Sequence, residues 1–217
     1  MKTLILLVAL SSTSQFLFGE DNAADVRAAV RRFTETLTPA QRSKAMLGFT
    51  DTARAKWNNL PVGLRPRAGL NIGSMSDQQR KLLHRILSAS LSSQCYLKAT
   101  SIMHLDNLLG IYFDSLYQRK EIPDTLYQFI KTLKFSHQNY YLAVFGDPRA
   151  DSVWGYKVEG HHLSLNFTFR NDRLAITPMV VGTDPAEYPS GEYAGWRVLG
   201  RWRSSVPQQR QPWCWGS

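Results

Sequence analysis

Only two cysteines, Cys95 and Cys214, occur among 217 residues, too few for a disulfide-stapled scaffold. An oxidising compartment would allow them to pair. The helical surroundings of Cys95 and the irregular ones of Cys214 argue against it. No Gly-rich phosphate loop and no G-x-S-x-G elbow appears, so nucleotide-binding and serine-hydrolase motifs are missing. No unit of about 20–50 residues recurs, which excludes solenoids and propellers. Residues 197–217 hold Arg197, Arg201, Arg203 and Arg210 but no acid. Much of the +9 formal charge therefore lies at one end. The remainder is mildly basic, without the basic stripe and interleaved aromatics that nucleic acid would call for.

Long apolar runs are also absent. The longest, Thr3-Leu4-Ile5-Leu6-Leu7-Val8-Ala9-Leu10, is too short to span a bilayer. Behind Lys2 and ahead of a Ser/Thr stretch it reads as a secretory signal over residues 1–19, with small residues at Ser14 and Gly19 for cleavage. A secreted or extracytoplasmic protein with no membrane span after processing is the expectation. Residues 20–200 have ordinary apolar content and the length of a single domain.

The first half is patterned for helices. Val26, Val30, Phe33 and Leu37 recur at helical spacing over 21–37. Thr38-Pro39-Ala40-Gln41 and Ser76-Asp77-Gln78-Gln79 are capping boxes that open two more. Ser92-Ser93 caps a helix reaching about Leu109, and Pro123-Asp124-Thr125 starts a short one to about Leu133. Between them, Pro61, Gly63, Pro66, Gly69 and Gly73 predict that residues 60–75 are a loop without regular structure. A loop of that length is often functional.

After Tyr140 the period changes to two. Strands are predicted over 140–145, 154–158, 161–169 and 173–181, with a tight turn at Asn171-Asp172 containing at least one positive φ. The fold class is therefore α+β, an N-terminal helical region followed by an antiparallel β-meander. The stretch from Trp154 to Phe169 has the clearest alternation. Read as one strand from Glu159, it puts Glu159, His161, Leu163, Leu165, Phe167 and Phe169 on an apolar face. His162, Ser164, Asn166 and Thr168 form a polar ladder. Glu159-Gly160 is a hairpin turn or a bulge in this reading.

The residues Glu159-Gly160-His161-His162-Leu163-Ser164-Leu165-Asn166-Phe167-Thr168 resemble the signature of the family known as domain of unknown function 3500. Upstream, Leu37-Thr38-Pro39-x-Gln41-Arg42, Arg54-x-x-Trp57, Arg67-x-Gly69-Leu70, Gln79-Arg80, Tyr96-x-Lys98-Ala99 and Phe145-Gly146-x-Pro148 match its pattern in order, as do Thr177-Pro178 and Gly182 downstream. The resemblance covers most of residues 35–200 and implies no particular chemistry. Two departures stand out. Cys95 takes the place of the family's usual glycine before the tyrosine. After Gly195-Trp196-Arg197-Val198-Leu199-Gly200 the chain leaves the pattern, which implies a C-terminally truncated domain. Residues 201–217 read as an irregular basic tail, out of frame or alternatively spliced, or else as a segment for an acidic surface.

Three functions fit these residues. The first is an enzyme with a metal or acid/base site: His161 and His162 as ligands of a divalent metal ion, or His162, His161 and Glu159 as acid/base groups. Arg54 and Arg67 would then clamp a small anionic substrate, with Trp57 and Trp154 as walls and Ser164 and Asn166 as hydrogen-bonding groups. Adjacent strand residues point apart, so both histidines reach one ion only if a turn brings them together. His161 reads more readily as a hydrogen-bonded core residue, and His162 reads equally either way. The second is a non-catalytic ligand-binding module. The third is a structural module in which the ladder and histidines are satisfied internally. Asn166-Phe167-Thr168 is also a glycosylation pattern, expected to stay unmodified inside a packed strand.

Overall fold

The computed structural model describes residues 20–171, 173–176 and 178–200. The expected signal over 1–19, the expected tail over 201–217 and Cys214 lie outside the described residues. Helix α1 (Glu20–Glu35) buries Val26, Val30 and Phe33, the stripe its spacing predicts. Helices α2 (Pro39–Ala45) and α3 (Asp77–Ser90) each begin in a complete capping box, on Thr38 with Gln41 and on Ser76 with Gln79. The two boxes are joined: the Gln79 amide donates to Gln41 Oε1 at 2.8 Å. Helix α4 (Ser93–Gln118) runs well past the expected end at Leu109. Gly110 is a contact residue there, not a stop. A Cβ at that position would stand 3.0 Å from the Phe135 carbonyl oxygen, so glycine lets the chain after α5 (Asp124–Leu133) pass close by.

The strands form a seven-stranded, mostly antiparallel sheet. Its centre is β3 (Tyr141–Phe145), β4 (Val153–Glu159) and β5 (Leu163–Arg170). Two short strands lie end to end along the outer edge of β3: β1 (Met46–Leu47), which is parallel to it, and β2 (Leu70–Asn71). Along β5 lie β6 (Arg173–Ile176) and β7 (Val180–Val181). The protein is thus α+β, helices first and sheet second, as expected.

Three local expectations are corrected. The 60–75 stretch is not without regular structure: β2 is followed by a 3-10 turn, Ile72–Ser74. The edge of β3 and the residues before it offer free carbonyls, and Ile72 and Gly73 donate to Tyr140 and Gln138 at 2.8 and 3.0 Å. The strand expected over 173–181 is two strands, split around Pro178, which has no N–H for a ladder. Strand β5 begins at Leu163, so His161 and His162 are not in a strand.

The last correction changes both faces. Because the chain reverses at His161-His162, Glu159 stands opposite Ser164 and Lys157 opposite Asn166. Glu159 therefore belongs to the polar face, not to the face of Leu163. The apolar face carries Trp154, Tyr156 and Val158 beside Phe169, Phe167 and Leu165. Trp154 stacks on Phe169 with centroids 4.4 Å apart, and Tyr156 on Phe167 at 4.6 Å. Helices α1, α3 and α4 cover this face in one continuous core. The polar face is covered by residues 48–69, whose two ends are anchored through β1 and β2 on the same strand.

Candidate functional site: a histidine turn and a buried ionic face

The turn at the end of β4 is held from several directions. Gly160 N–H donates to the Leu163 carbonyl at 2.8 Å and closes a two-residue hairpin loop. His162, the second loop residue, has φ +55°, in the left-handed region, whereas His161 does not. Gly160 is necessary for a different reason: any Cβ there would collide with the Tyr140 ring. Every carbonyl of the turn is used. Gly160 accepts from Arg67 Nη2 at 3.0 Å, His161 from the Tyr140 hydroxyl at 2.8 Å, and His162 from Gly182 N–H at 2.8 Å. The His162 N–H donates to the Asn59 carbonyl at 3.3 Å.

This reversal brings the imidazoles together, with ring centroids 4.1 Å apart. His161 is buried against Phe135, and its Nδ1 hydrogen-bonds Asp106 Oδ1 on α4 at 2.8 Å. The carboxylate fixes the tautomer, so Nε2 is the free ring nitrogen. Burial raises the Asp106 carboxyl above its ordinary range, while the His161 hydrogen bond pulls it back. Burial, with His161 beside it, lowers the His162 pKa and keeps that imidazole neutral, the form that coordinates metal. Pairing of β7 with β5 brings the adjoining loop to the turn, and with it Asp184. Ligand atoms of His161, His162 and Asp184 all lie within 4.8 Å of one another.

Glu159 is not part of that cluster. On the polar face its Oε1 takes a 2.6 Å ion pair from Lys157 Nζ, and its Oε2 lies 3.7 Å from Arg67 Nε. Lys157 is 1 % exposed and Glu159 3 %. Burial raises the Glu159 carboxyl, opposed by both cations. Lys157 also donates to the carbonyls of Ala53 and Lys56 at 2.6 and 3.0 Å, which fills its three donors. Arg67 donates to the Asn58 and Leu60 carbonyls at 2.7 Å and to that of Arg65. Burial lowers its pKa, with Glu159 opposing. Asn166 Nδ2 donates to the Arg54 carbonyl at 2.6 Å. Arg54 itself lies over the Phe49 ring, 4.4 Å from its centroid, with Nη1 3.5 Å from Thr168 Oγ1.

The residues expected to form one site are therefore divided. His161 and His162 share the turn. Glu159, Arg54, Arg67, Ser164 and Asn166 gather on the polar face. Trp154 is fully buried on the opposite face, under the guanidinium of Arg27, so it walls neither group. Trp57 is 49 % exposed in the cover. Sequence reasoning missed Lys157, Asp106 and Asp184. Lys157 was legible as the same-face neighbour of Glu159, two positions before it. Nothing local marks Asp106 or Asp184, which arrive through tertiary packing.

An α+β chain with paired histidines at a hairpin end and a buried ionic face behind it is the class these features define. The chain belongs to the family described as Protein of unknown function (DUF3500), whose model matches residues 19–206. Neither the curated proteins nor the solved structures contain a match to it.

Proposed function

We propose that this is a secreted, metal-dependent enzyme with one divalent transition-metal ion at the hairpin turn, held by His161, His162 and Asp184. The convergence of two imidazoles and a carboxylate within 4.8 Å carries the reading. Imidazole and carboxylate suit zinc and its neighbours. Tetrahedral ligands about 2.0–2.1 Å from zinc stand roughly 3.4 Å apart, so the cluster has to contract by up to about 1.4 Å. Asp184 is exposed and supplies that movement. Three protein ligands leave a position for water, the arrangement of catalytic sites more than of structural ones. A metal at the turn would lower the pKa of that water toward neutrality and polarise a substrate oxygen. Asp106 would hold His161 by its other nitrogen. Such a centre suits hydrolysis or proton abstraction on a small anionic molecule.

Metal analysis of the purified full chain tests this. About one equivalent of zinc or a neighbouring ion is expected, lost in His162→Ala and in Asp184→Ala, with the fold retained by circular dichroism. Metal-free native protein after zinc incubation would refute the reading. A non-catalytic ligand-binding or structural module is the second reading. It draws support from the polar face, where Lys157 and Asn166 are engaged in fastening residues 48–69.

A further inference from the structure

We propose that the chain's own Trp213-Cys214-Trp215 docks in an apolar hollow between α4 and the β5–β7 edge, fastened there by a disulfide between Cys214 and Cys95. The proposal is independent of the metal reading. Cys95 is disulfide-bonded, and no cysteine among the described residues is free. The sequence contains one other cysteine, Cys214. The helical surroundings of Cys95 argued against a bond, and that expectation is corrected: a helix fixes the backbone of a cysteine, not what approaches its side chain.

Local periods build the hollow. Cys95 and Ala99 stand about one turn apart near the start of α4 and share a face. Leu163 and Leu165 are two apart on β5, and Met179 and Val181 are two apart at β7, so each pair shares a face of the sheet. Pairing sets Leu163 opposite Val181. Together these residues line a shallow hollow whose exposed surface is entirely apolar. Met179 and Val181 remain 38 % and 37 % exposed. Among the described residues no strand covers the outer edge of β7. A lining without hydrogen-bonding groups gives a polar ligand nothing to hold; it suits hydrocarbon or an aromatic ring.

The bond at Cys95 names the occupant. A disulfide holds its two Cα atoms within about 7 Å. Trp213 and Trp215 begin one Cα step, about 3.8 Å, to either side of Cys214. The bond itself therefore delivers both indoles to the hollow, in a segment with no charged side chain after Arg210. The path is short enough. Val198 packs with Leu105 and Leu108 of α4, and Cys95 lies about 15 Å back along that helix. The chain from Val198 to Cys214 can span about 50 Å. Forming the bond takes two Sγ atoms from thiol to disulfide. Two protons and two electrons pass to a small external disulfide, oxidised glutathione, which leaves as two thiols. Docked there, the segment braces β7, and the Gly182 N–H that follows β7 donates to the His162 carbonyl.

The test begins with the full chain, oxidised with glutathione and digested without reductant. Mass spectrometry is expected to find Cys95 joined to Cys214 within a monomer. Free thiols at both positions, or Cys95 joined to Cys95 of a second copy, would overturn the proposal. Hydrogen exchange then separates docking from a loose tether. Amides of residues 179–182 should be protected in the oxidised protein. They should exchange at least about tenfold faster when Trp213→Ser and Trp215→Ser are combined, with both cysteines kept and still bonded. Cys214→Ser should accelerate the same amides while circular dichroism stays native. Equal exchange in the native and double-serine proteins would show the segment hanging free of the hollow and would overturn the docking.

Discussion

The helix side of the sheet is closed by Trp154, Tyr156, Val158, Leu165, Phe167 and Phe169 meeting Phe33, Leu83, Ile86 and Leu87. The other side is closed by Lys157 and Asn166 donating to the backbone carbonyls of Ala53, Lys56 and Arg54, with Glu159 paired to Lys157. Both sides are equally inaccessible to solvent, yet they resist change differently. Apolar packing is non-directional and relaxes around a substitution of similar volume. An ionic cluster works only while every partner is present, because each desolvated charge left alone costs several kcal/mol.

The largest expected effect therefore lies on the polar side. Lys157→Ala or Glu159→Ala should destabilise by about 3–5 kcal/mol, the cost of leaving one buried charge unpaired. Equilibrium urea unfolding measures it. The double change Lys157→Met with Glu159→Leu removes both members of the 2.6 Å pair and should recover part of that loss, leaving the cost of the released Ala53 and Lys56 carbonyls and of Arg67 without its carboxylate. A single substitution within about 0.5 kcal/mol of native stability, the range of an ordinary surface site, would break the contrast between the two sides.

Next in size is Asp106→Asn. Asp106 reaches His161 from the helix side, across the end of the sheet, and fixes which ring nitrogen is free. The amide keeps the shape but loses the charge. On the proposed metal reading, affinity at the turn should fall about 10–100-fold. Competition with a chelator of known affinity reads this out, and an unchanged affinity would separate Asp106 from the turn. Smaller again is Leu165→Met on the apolar side, expected below about 1.5 kcal/mol because its volume is conserved. If it costs as much as Lys157→Ala, the apolar side is no more forgiving than the ionic one.

How far the sequence carried this contrast depends on the range of the cause. Capping boxes on Thr38 and Ser76 are local chemistry, and both helices begin where those residues place them. Asn171 has φ +53°, as a tight turn there demands. Alternation along Leu163, Leu165, Phe167 and Phe169 correctly marked one apolar face. The error came from the placement of one reversal: the hairpin alternative set the bend at Glu159-Gly160, whereas the chain turns at His161-His162. Without a glycine or asparagine at the bend, His161-His162 carried no turn signal, and counting straight through it moved Glu159 to the wrong face. The positive φ of His162 is imposed by tertiary bonds to Asn59, Gly182 and Tyr140, none of which is near in sequence. The same holds for Asp106 and Asp184, which the helix α4 and the loop after β7 deliver from far along the chain. Helix α4 was expected to end at about Leu109, yet it continues through Gly110, which serves a close contact with Phe135.

The smallest expected effect is no effect, and it tests whether the polar side is truly closed. Asn166-Phe167-Thr168 satisfies the pattern for N-linked glycan addition. In the folded protein Asn166 is 1 % exposed, its amide nitrogen is engaged by the Arg54 carbonyl, and Phe167 beside it packs into the opposite core. A glycan on that nitrogen has no room on a residue so deeply buried and would force residues 48–69 off the sheet. Protein recovered from a eukaryotic secretory host should therefore show an unmodified peptide at Asn166 by mass spectrometry. Glycan addition acts on chains not yet closed, so the outcome reports a competition: strand pairing of Asn166 with Lys157 has to form before modification. A fully occupied Asn166 in folded, monodisperse protein would mean that the polar side faces solvent. The distinction between a core closed by packing and a face closed by ionic bonds to a loop would then fail at one of its most buried residues.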